Sequence, residues 1–420
     1  MATSPTSDLE ARRIAEQMAR FSYGRLIAFV ANRTHDLMAA EDALSEAFLA
    51  ALESWPIHGI PRSPEAWLLT TARRRLIDLT RRAARLESLT SYLDESIPQR
   101  ETPETTFLAD ERLQLLFTCS HPAIDPLART PLLLQTVLGL DAERIASAFL
   151  VSPATMSQRL VRAKTKIRDT GISFELPEPD ELPNRLESVL DAIYAAYGTG
   201  WDAIDGADPQ SASLAEEAIW LGQTVVDLLP NQPESRGLLA LMQFSHARRS
   251  ARRDANGNYV PLDSQNCHQW DTAQIAAAEQ HLFTASTANQ PGRFQIEAAI
   301  QSAHIQRLQL GIPNWPAIVL LYEGLVRFSP TLGALVNRAA AIGKAYGPQA
   351  WWLAWQSIPP DSVRDYQPYW VTAAHWLHQL GQPDAALAAH KTALGLTQDP
   401  TLRRFLLQNP PHPTEPQSSM

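Results

Sequence analysis

The chain has 420 residues, 45% of them hydrophobic, too long for one core and too apolar for wholesale disorder. Its formal net charge of -9 makes the surface as a whole repel nucleic acid, and its two cysteines, Cys119 and Cys267, exclude a disulfide framework. No stretch approaches the roughly 18 apolar residues of a membrane span, and the opening MATSPTSDLEARR lacks a signal-peptide core, so a soluble cytoplasmic protein is expected.

Alternating β-branched runs are almost absent, and Ala, Leu, Arg, Glu and Gln dominate, so the chain reads as all-α. Helices are expected at roughly 8–32, 36–55 and 64–86, the last capped by Ser63 with Pro64 at its first position. A polar linker over 91–105 closes a first domain, 1–90. Helices at about 107–120, 126–138 and from Asp141 lead into a basic helix at 152–168. They make a second domain, 106–172, followed by a Pro- and acid-rich linker at 173–183. A helical extension is expected over 184–290. Helical repeats over 291–408 resemble tetratricopeptide (TPR) pairs, and 409–420 reads as a disordered tail. Trp370, Ala374, Leu377, Gly381, Ala386, Ala393 and Leu394 sit where a TPR pair places them, and Gly311, Gly347 and Gly381 recur near its period.

Charge is placed unevenly. Residues 1–170 hold 21 of the 36 Lys+Arg and 21 of the 45 Asp+Glu, so the whole acidic excess lies beyond them. Within the balanced part, two segments are strongly basic. The first is SPATMSQRLVRAKTKIR, 152–168. Ser152 and Pro153 start a helix whose Met156, Leu160, Ala163 and Ile167 face inward. Thr155, Gln158, Arg162, Thr165 and Lys166 then point outward, with Arg159 on a flank. The short amphipathic DAERIASAFL precedes it closely, which is the helix-turn-helix pattern. Arg can read guanine, Gln adenine, and Lys can hold phosphate. The competing reading is a solvated basic helix on a bundle surface.

The second is PEAWLLTTARRRLIDLTRRAAR, 64–85, with Arg73, Arg74, Arg75, Arg81, Arg82 and Arg85 against Asp78 alone. A loop flanked by Trp55 and Trp67 precedes it. Cations beside aromatic rings suit single-stranded DNA, although Trp67 also fits a core position. The helix AAEDALSEAFLAAL, 39–52, is the opposite kind. Its Glu41, Asp42 and Glu46 can dock a basic partner or simply face water.

The segments AAEDALSEAFLAALESWP and PEAWLLTTARRRLIDLTRR resemble region 2 of bacterial extracytoplasmic-function (ECF) sigma factors. LGLDAERIASAFLVSPATMSQRLVRAKTKIR resembles their region 4. ERLQLLFTCSHPAIDPLART and the long helical remainder are similar to a subgroup with a large TPR-like C-terminal extension. The resemblance implies a sigma factor, not an enzyme, that needs no cofactor or metal. It implies binding to core RNA polymerase, through its β′ clamp and β flap, and to promoter DNA. Carried over, Asp42, Glu46 and Phe48 fall on the polymerase-binding helix. Trp67, Arg73, Arg74, Arg75, Arg81 and Arg82 fall on the -10 segment, and Thr155, Gln158, Arg159, Arg162 and Lys166 on the -35 helix. Ser45 and Arg74 replace the Gln and Asn common in that family.

Other chemistry is thin. Cys119 and His121 lack the further ligands a metal site needs, and no P-loop, H-E-x-x-H or G-x-S-x-G occurs. The late tryptophans, Trp351, Trp352, Trp355, Trp370 and Trp376, read as inter-helix core, with a concave face for a protein or peptide ligand as the alternative. The acidic C-terminal part is expected to regulate in cis. The other classes in play are a one-component regulator, which leaves 39–85 without a role, and a TPR adaptor, which leaves both basic helices unexplained.

Overall fold

Capping side chains punctuate this chain. The computed structural model describes residues 5–87, 107–149, 151–178, 180–201, 209–307, 311–397 and 399–411. Among them the regular structure is helical, with a single isolated bridge between Arg253 and Tyr259. The contacts divide the chain into two units, Met1–Leu228 and Leu229–Met420.

In the first unit the helices are α1 (Pro5–Phe21), α2 (Tyr23–Thr34), α3 (Leu37–His58), α4 (Pro64–Glu87), α5 (Phe107–Cys119), α6 (Pro126–Leu138), α7 (Ala142–Ala148), α8 (Pro153–Thr170), α9 (Leu182–Trp201) and α10 (Pro209–Leu228). Asp36 caps α3 by accepting from the amides of Met38 and Ala39. Asp125 caps α6, and Gly139 ends it in the left-handed region, at φ 68°. The helix expected over 8–32 is two helices, broken at Ser22. The Ser22 hydroxyl donates to Glu65 of α4, and Arg25 pairs with the same carboxylate. Just beyond, Gly24 lies so close to Val137 of α6 that a Cβ would collide with the carbonyl.

The first 90 residues and the 107–170 segment are therefore not separate beads. α2 packs on α5 and α6, and α3 touches α8. Asn32 donates to Gln114 across 2.8 Å. The extension expected from residue 184 also begins inside this unit. α9 packs on α5 and α6, Arg185 donates to the Phe117 carbonyl at 3.0 Å, and α10 reaches α5. The unit boundary falls at Leu228 because α9 and α10 complete the cover over α5 and α6. The linkers expected at 91–105 and the tail at 409–420 lie largely outside the described residues.

The second unit contains α11 (Pro233–His246), α12 (Thr272–Ser286), α13 (Arg293–Ile305), α14 (Trp315–Phe328), α15 (Leu332–Tyr346), α16 (Pro348–Trp355), α17 (Gln367–Gln379), α18 (Pro383–Leu396) and α19 (Pro400–Gln408). From α11 onward each helix packs on the next or next-but-one helix in sequence, the contact pattern of a solenoid. Gly311, Gly347 and Gly381 adopt φ of 76°, 94° and 73°, all where helices start or stop. The tryptophans form the core of the last turns. Trp351 and Trp355 are buried and meet at 4.8 Å between ring centroids, and Trp355 stacks on Tyr369 at 4.0 Å. The last helix turns back on an early loop: Phe405 meets Tyr259 edge-on at 5.5 Å.

Gly343 of α15 carries the closest approach in this core. A Cβ there would lie 2.5 Å from Cζ2 of Trp376. Gly343→Ala should lower the stability of the second unit by about 1–3 kcal/mol, the usual cost of overpacking, read as a lower urea midpoint by tryptophan fluorescence.

Candidate nucleic-acid interface

α7 and α8 are joined by a few residues, of which 150 lies outside the described set. α8 begins as its sequence dictates. The Ser152 side chain accepts from the Thr155 amide at 3.1 Å, Pro153 occupies the first turn, and Gly171 closes the helix at φ 63°. Met156, Leu160, Ala163 and Ile167 are buried, as the helical spacing requires. The opposite face is open. Thr155, Gln158, Arg162 and Lys166 are exposed, Thr165 is half-buried, and Arg159 is half-buried with Nη1 3.4 Å from the Leu127 carbonyl. Four of the five residues expected to face DNA thus stand clear of the fold, and Arg159 leans on α6.

Lys164 was not singled out by charge or motif, yet it is the buried cation of this helix, 7% exposed. It forms an ion pair with Glu41 of α3. Burial pushes the Glu41 carboxyl above the ordinary range, and Lys164 pulls the other way. One oxygen of Glu41 is buried without a hydrogen-bond partner. The signal was in the register: Lys164 sits four residues after Leu160 and three before Ile167, inside the inward stripe.

The acidic helix α3 divides its acids. Glu41 is taken by Lys164. Glu46 faces Arg75 of α4 at 3.3 Å, both about half-exposed, and Asp42 is exposed. Phe48, expected on the docking face, is half-buried. The exposed apolar side chains here are Leu49, Leu52 and Ile57, which sequence reasoning passed over. Their spacing from Asp42 and Glu46 puts them along one side of the helix.

α4 presents Arg73, Arg74 and Arg75 to solvent. Trp67 is half-buried and meets the buried Trp55 edge-on at 5.6 Å, so it serves the core while leaving one side open. Arg81 and Arg82 lie on the backbone of α4, but their side chains are outside the described residues.

The acid of the chain is more localised than a two-part division suggests. Residues 171–228 hold 12 acids against Arg185 alone, whereas 229–420 hold 12 acids and 14 cations. The excess therefore belongs to α9, α10 and their flanks, within the same unit as α8. Glu217 of α10 binds Arg144 of α7 at 3.0 Å, so this acid contacts the short helix that precedes α8 directly. The arginines at 248–253 are used inside the second unit: Arg248 is buried against Gln301, and Arg253 donates to the Gly257 carbonyl.

Neither cysteine builds a centre. Cys119 is buried 3.1 Å from the Thr136 hydroxyl, and burial pushes its thiol up to about 12. Cys267 accepts from Arg307 at 3.1 Å. No group of metal-ligating side chains occurs among the described residues, and no helix among them is long and apolar enough to cross a membrane.

Replacing Lys164 by Ala should cost about 3–5 kcal/mol, because it leaves a carboxylate buried without its counter-charge. The sign of the pH dependence follows. Burial holds the folded Glu41 carboxyl above its unfolded value. The native state then takes up the proton first, so the deficit shrinks as pH falls through the raised value and grows as pH rises. Urea titrations from pH 8 to pH 5 check this, and Glu41→Leu combined with Lys164→Met should recover most of the loss.

Comparison with known proteins adds independent findings. Residues 21–86 match sigma-70 region 2, and residues 185–286 match a family of unknown function (DUF6596). Uncharacterized protein R00370 of Rhizobium meliloti is 36% identical over 381 residues, 89% of this chain and 88% of that protein. The ECF RNA polymerase sigma factor SigE of Mycolicibacterium smegmatis is 26% identical over 170 residues, 40% of this chain and 62% of SigE. The ECF RNA polymerase sigma factor SigL of Mycobacterium tuberculosis is 29% identical over 139 residues, 33% of this chain and 77% of SigL. No solved structure matches.

Proposed function

We propose that this chain is a sigma factor of the extracytoplasmic-function branch of the sigma-70 family, as the region 2 match and the likeness to SigE and SigL support, and that it binds core RNA polymerase and directs promoter-specific transcription initiation. It acts by binding, not by catalysis. One observation carries the reading: the match to sigma-70 region 2 shares a compact unit with a capped helix-turn-helix whose second helix exposes Thr155, Gln158, Arg162 and Lys166. In this reading the segment 106–172 is region 4. α8 enters the major groove of the -35 element, and the arginines of α4, Arg73, Arg74, Arg75, Arg81 and Arg82, hold the opened -10 strand with Trp67 beside them.

Polymerase docking is assigned to the open side of α3. Asp42 and Glu46 supply charge complementary to a basic clamp surface, and Leu49 and Leu52 supply the apolar contact. This is the β′ clamp contact, while the β flap meets the 106–172 segment. Phe48, half-buried on the same helix, is assigned to the clamp contact alongside Asp42 and Glu46. The full chain should capture bacterial core RNA polymerase from purified subunits, and Asp42→Ala with Leu49→Ala should weaken capture about tenfold or more, a loss of about 1.4 kcal/mol. Absence of capture by the full chain and by residues 1–228 alike overturns the reading.

Regulation in cis is assigned to the acidic α9–α10 segment. First helices of helix-turn-helix units cross the DNA backbone, and Glu217 holds Arg144 where phosphate would. Glu217→Gln should therefore raise promoter output in a reconstituted transcription assay, and equal output would reject the assignment. A truncation that tests the second unit belongs after Leu228, since cutting near 172 strips α9 from α5 and α6. The second unit, read as TPR-like, is assigned to a protein or peptide ligand, as the serial helix packing supports.

A further inference from the structure

The face of α8 that stands clear of the fold is not uniformly polar. Val161 is 50% exposed, the one large apolar side chain of this helix left in solvent. Helical geometry places it about 60° around the axis from Gln158, with Arg162 about 40° to the other side. It lies across that face from Arg159, which leans on α6. Val161 is also separated from the buried stripe of Met156, Leu160, Ala163 and Ile167.

An exposed helical position favours Lys, Glu, Gln or Arg, and Val is among the weaker helix formers. Its neighbours on the face, Gln158, Arg162 and Lys166, are polar or cationic. That setting suits a groove walled by phosphate better than an apolar protein patch, which would need several hydrocarbon side chains together. A single branched hydrocarbon beside a carboxamide, with a guanidinium beyond it on the same face, matches base edges in the major groove. Gln pairs with the N6 and N7 edge of adenine and Arg with the O6 and N7 edge of guanine. Among the other major-groove features, the C5-methyl of thymine is the apolar one.

We propose that Val161 is a specificity-determining residue that packs against the C5-methyl of a thymine in the -35 element, beside the bases read by Gln158 and Arg162. The inference rests on the reading of α8 as a DNA-reading helix. Thr155 and Lys166, at the ends of the face, then serve the phosphates on either side.

The test separates this contact from that reading. A -35 duplex is selected from a randomised library by the full chain in complex with core RNA polymerase. Each thymine of the selected duplex is then replaced by deoxyuridine, which lacks only the methyl group. One replacement should weaken binding by the wild-type complex about fourfold, the worth of one buried methylene-sized group. Val161→Ala should bind the thymine and deoxyuridine duplexes equally, while Arg162→Ala keeps the thymine preference. Equal binding of all replacements by the wild type, with sequence selection intact, overturns the Val161 contact alone. The same loss in Val161→Ala as in the wild type also overturns it. Failure of the complex to select any sequence in the -35 window overturns the reading of α8 and this inference with it. Circular dichroism of Val161→Ala, a solvent-facing change, controls for folding.

Discussion

A buried pair of opposite charges, Glu41 on α3 and Lys164 on α8, sets how the first unit is put together. Neither ion could sit in so apolar a place alone. Around the pair, Gly24 against Val137 and Asn32 against Gln114 bring α2 onto α5 and α6. An ion pair contributes little net stability when its desolvation is counted, but it accepts few alternative partners. Together with the buried Met156, Leu160, Ala163 and Ile167 it turns one side of α8 inward. With Lys164 turned inward, Gln158 and Arg162 must turn outward. The arrangement of the exposed side chains of α8 thus goes together with contacts made on the other flank of the same helix.

The second organising fact is where the charge lies. A net of -9 for the chain hides three different surfaces: a balanced first 170 residues, a strongly acidic stretch over 171–228 and a slightly basic remainder. The acidic stretch is joined to α7 by the ion pair of Arg144 with Glu217, and to α6 by the packing of α9. The match to a family of unknown function, 185–286, runs across the boundary at Leu228. That family's sequence pattern therefore describes helices in two compact units, the first of which shares its core with the segments ahead of it.

Much of this was legible in the residues. Ser152-Pro153 announced the start of α8 and the spacing of Met156, Leu160, Ala163 and Ile167 its buried side, because capping and helical period are local properties. The glycines 311, 347 and 381 marked helix junctions for the same reason. What sequence could not supply were facts of partnership. The break at Ser22 depends on Glu65, 43 residues away, and the burial of Lys164 depends on Glu41, 123 residues away. The exposure of Leu49 and Leu52 was missed because apolar residues on a helix are normally assigned to its inner face. The acid was assigned too broadly because the count was cut at residue 170 and the units part at 228.

The contact of Phe405 with Tyr259 gives the second unit a property that a plain stack of helices lacks. Open arrays melt from their ends, since a terminal helix has a neighbour on one side only. Here α19 has α18 on one side and the 253–259 turn on the other, with Arg404 3.5 Å from Asn258 beside the ring pair. The stack is fastened like a belt, and the final helix is its buckle. Fraying of α19 therefore has to break its contacts with the 253–259 turn as well as those with α18.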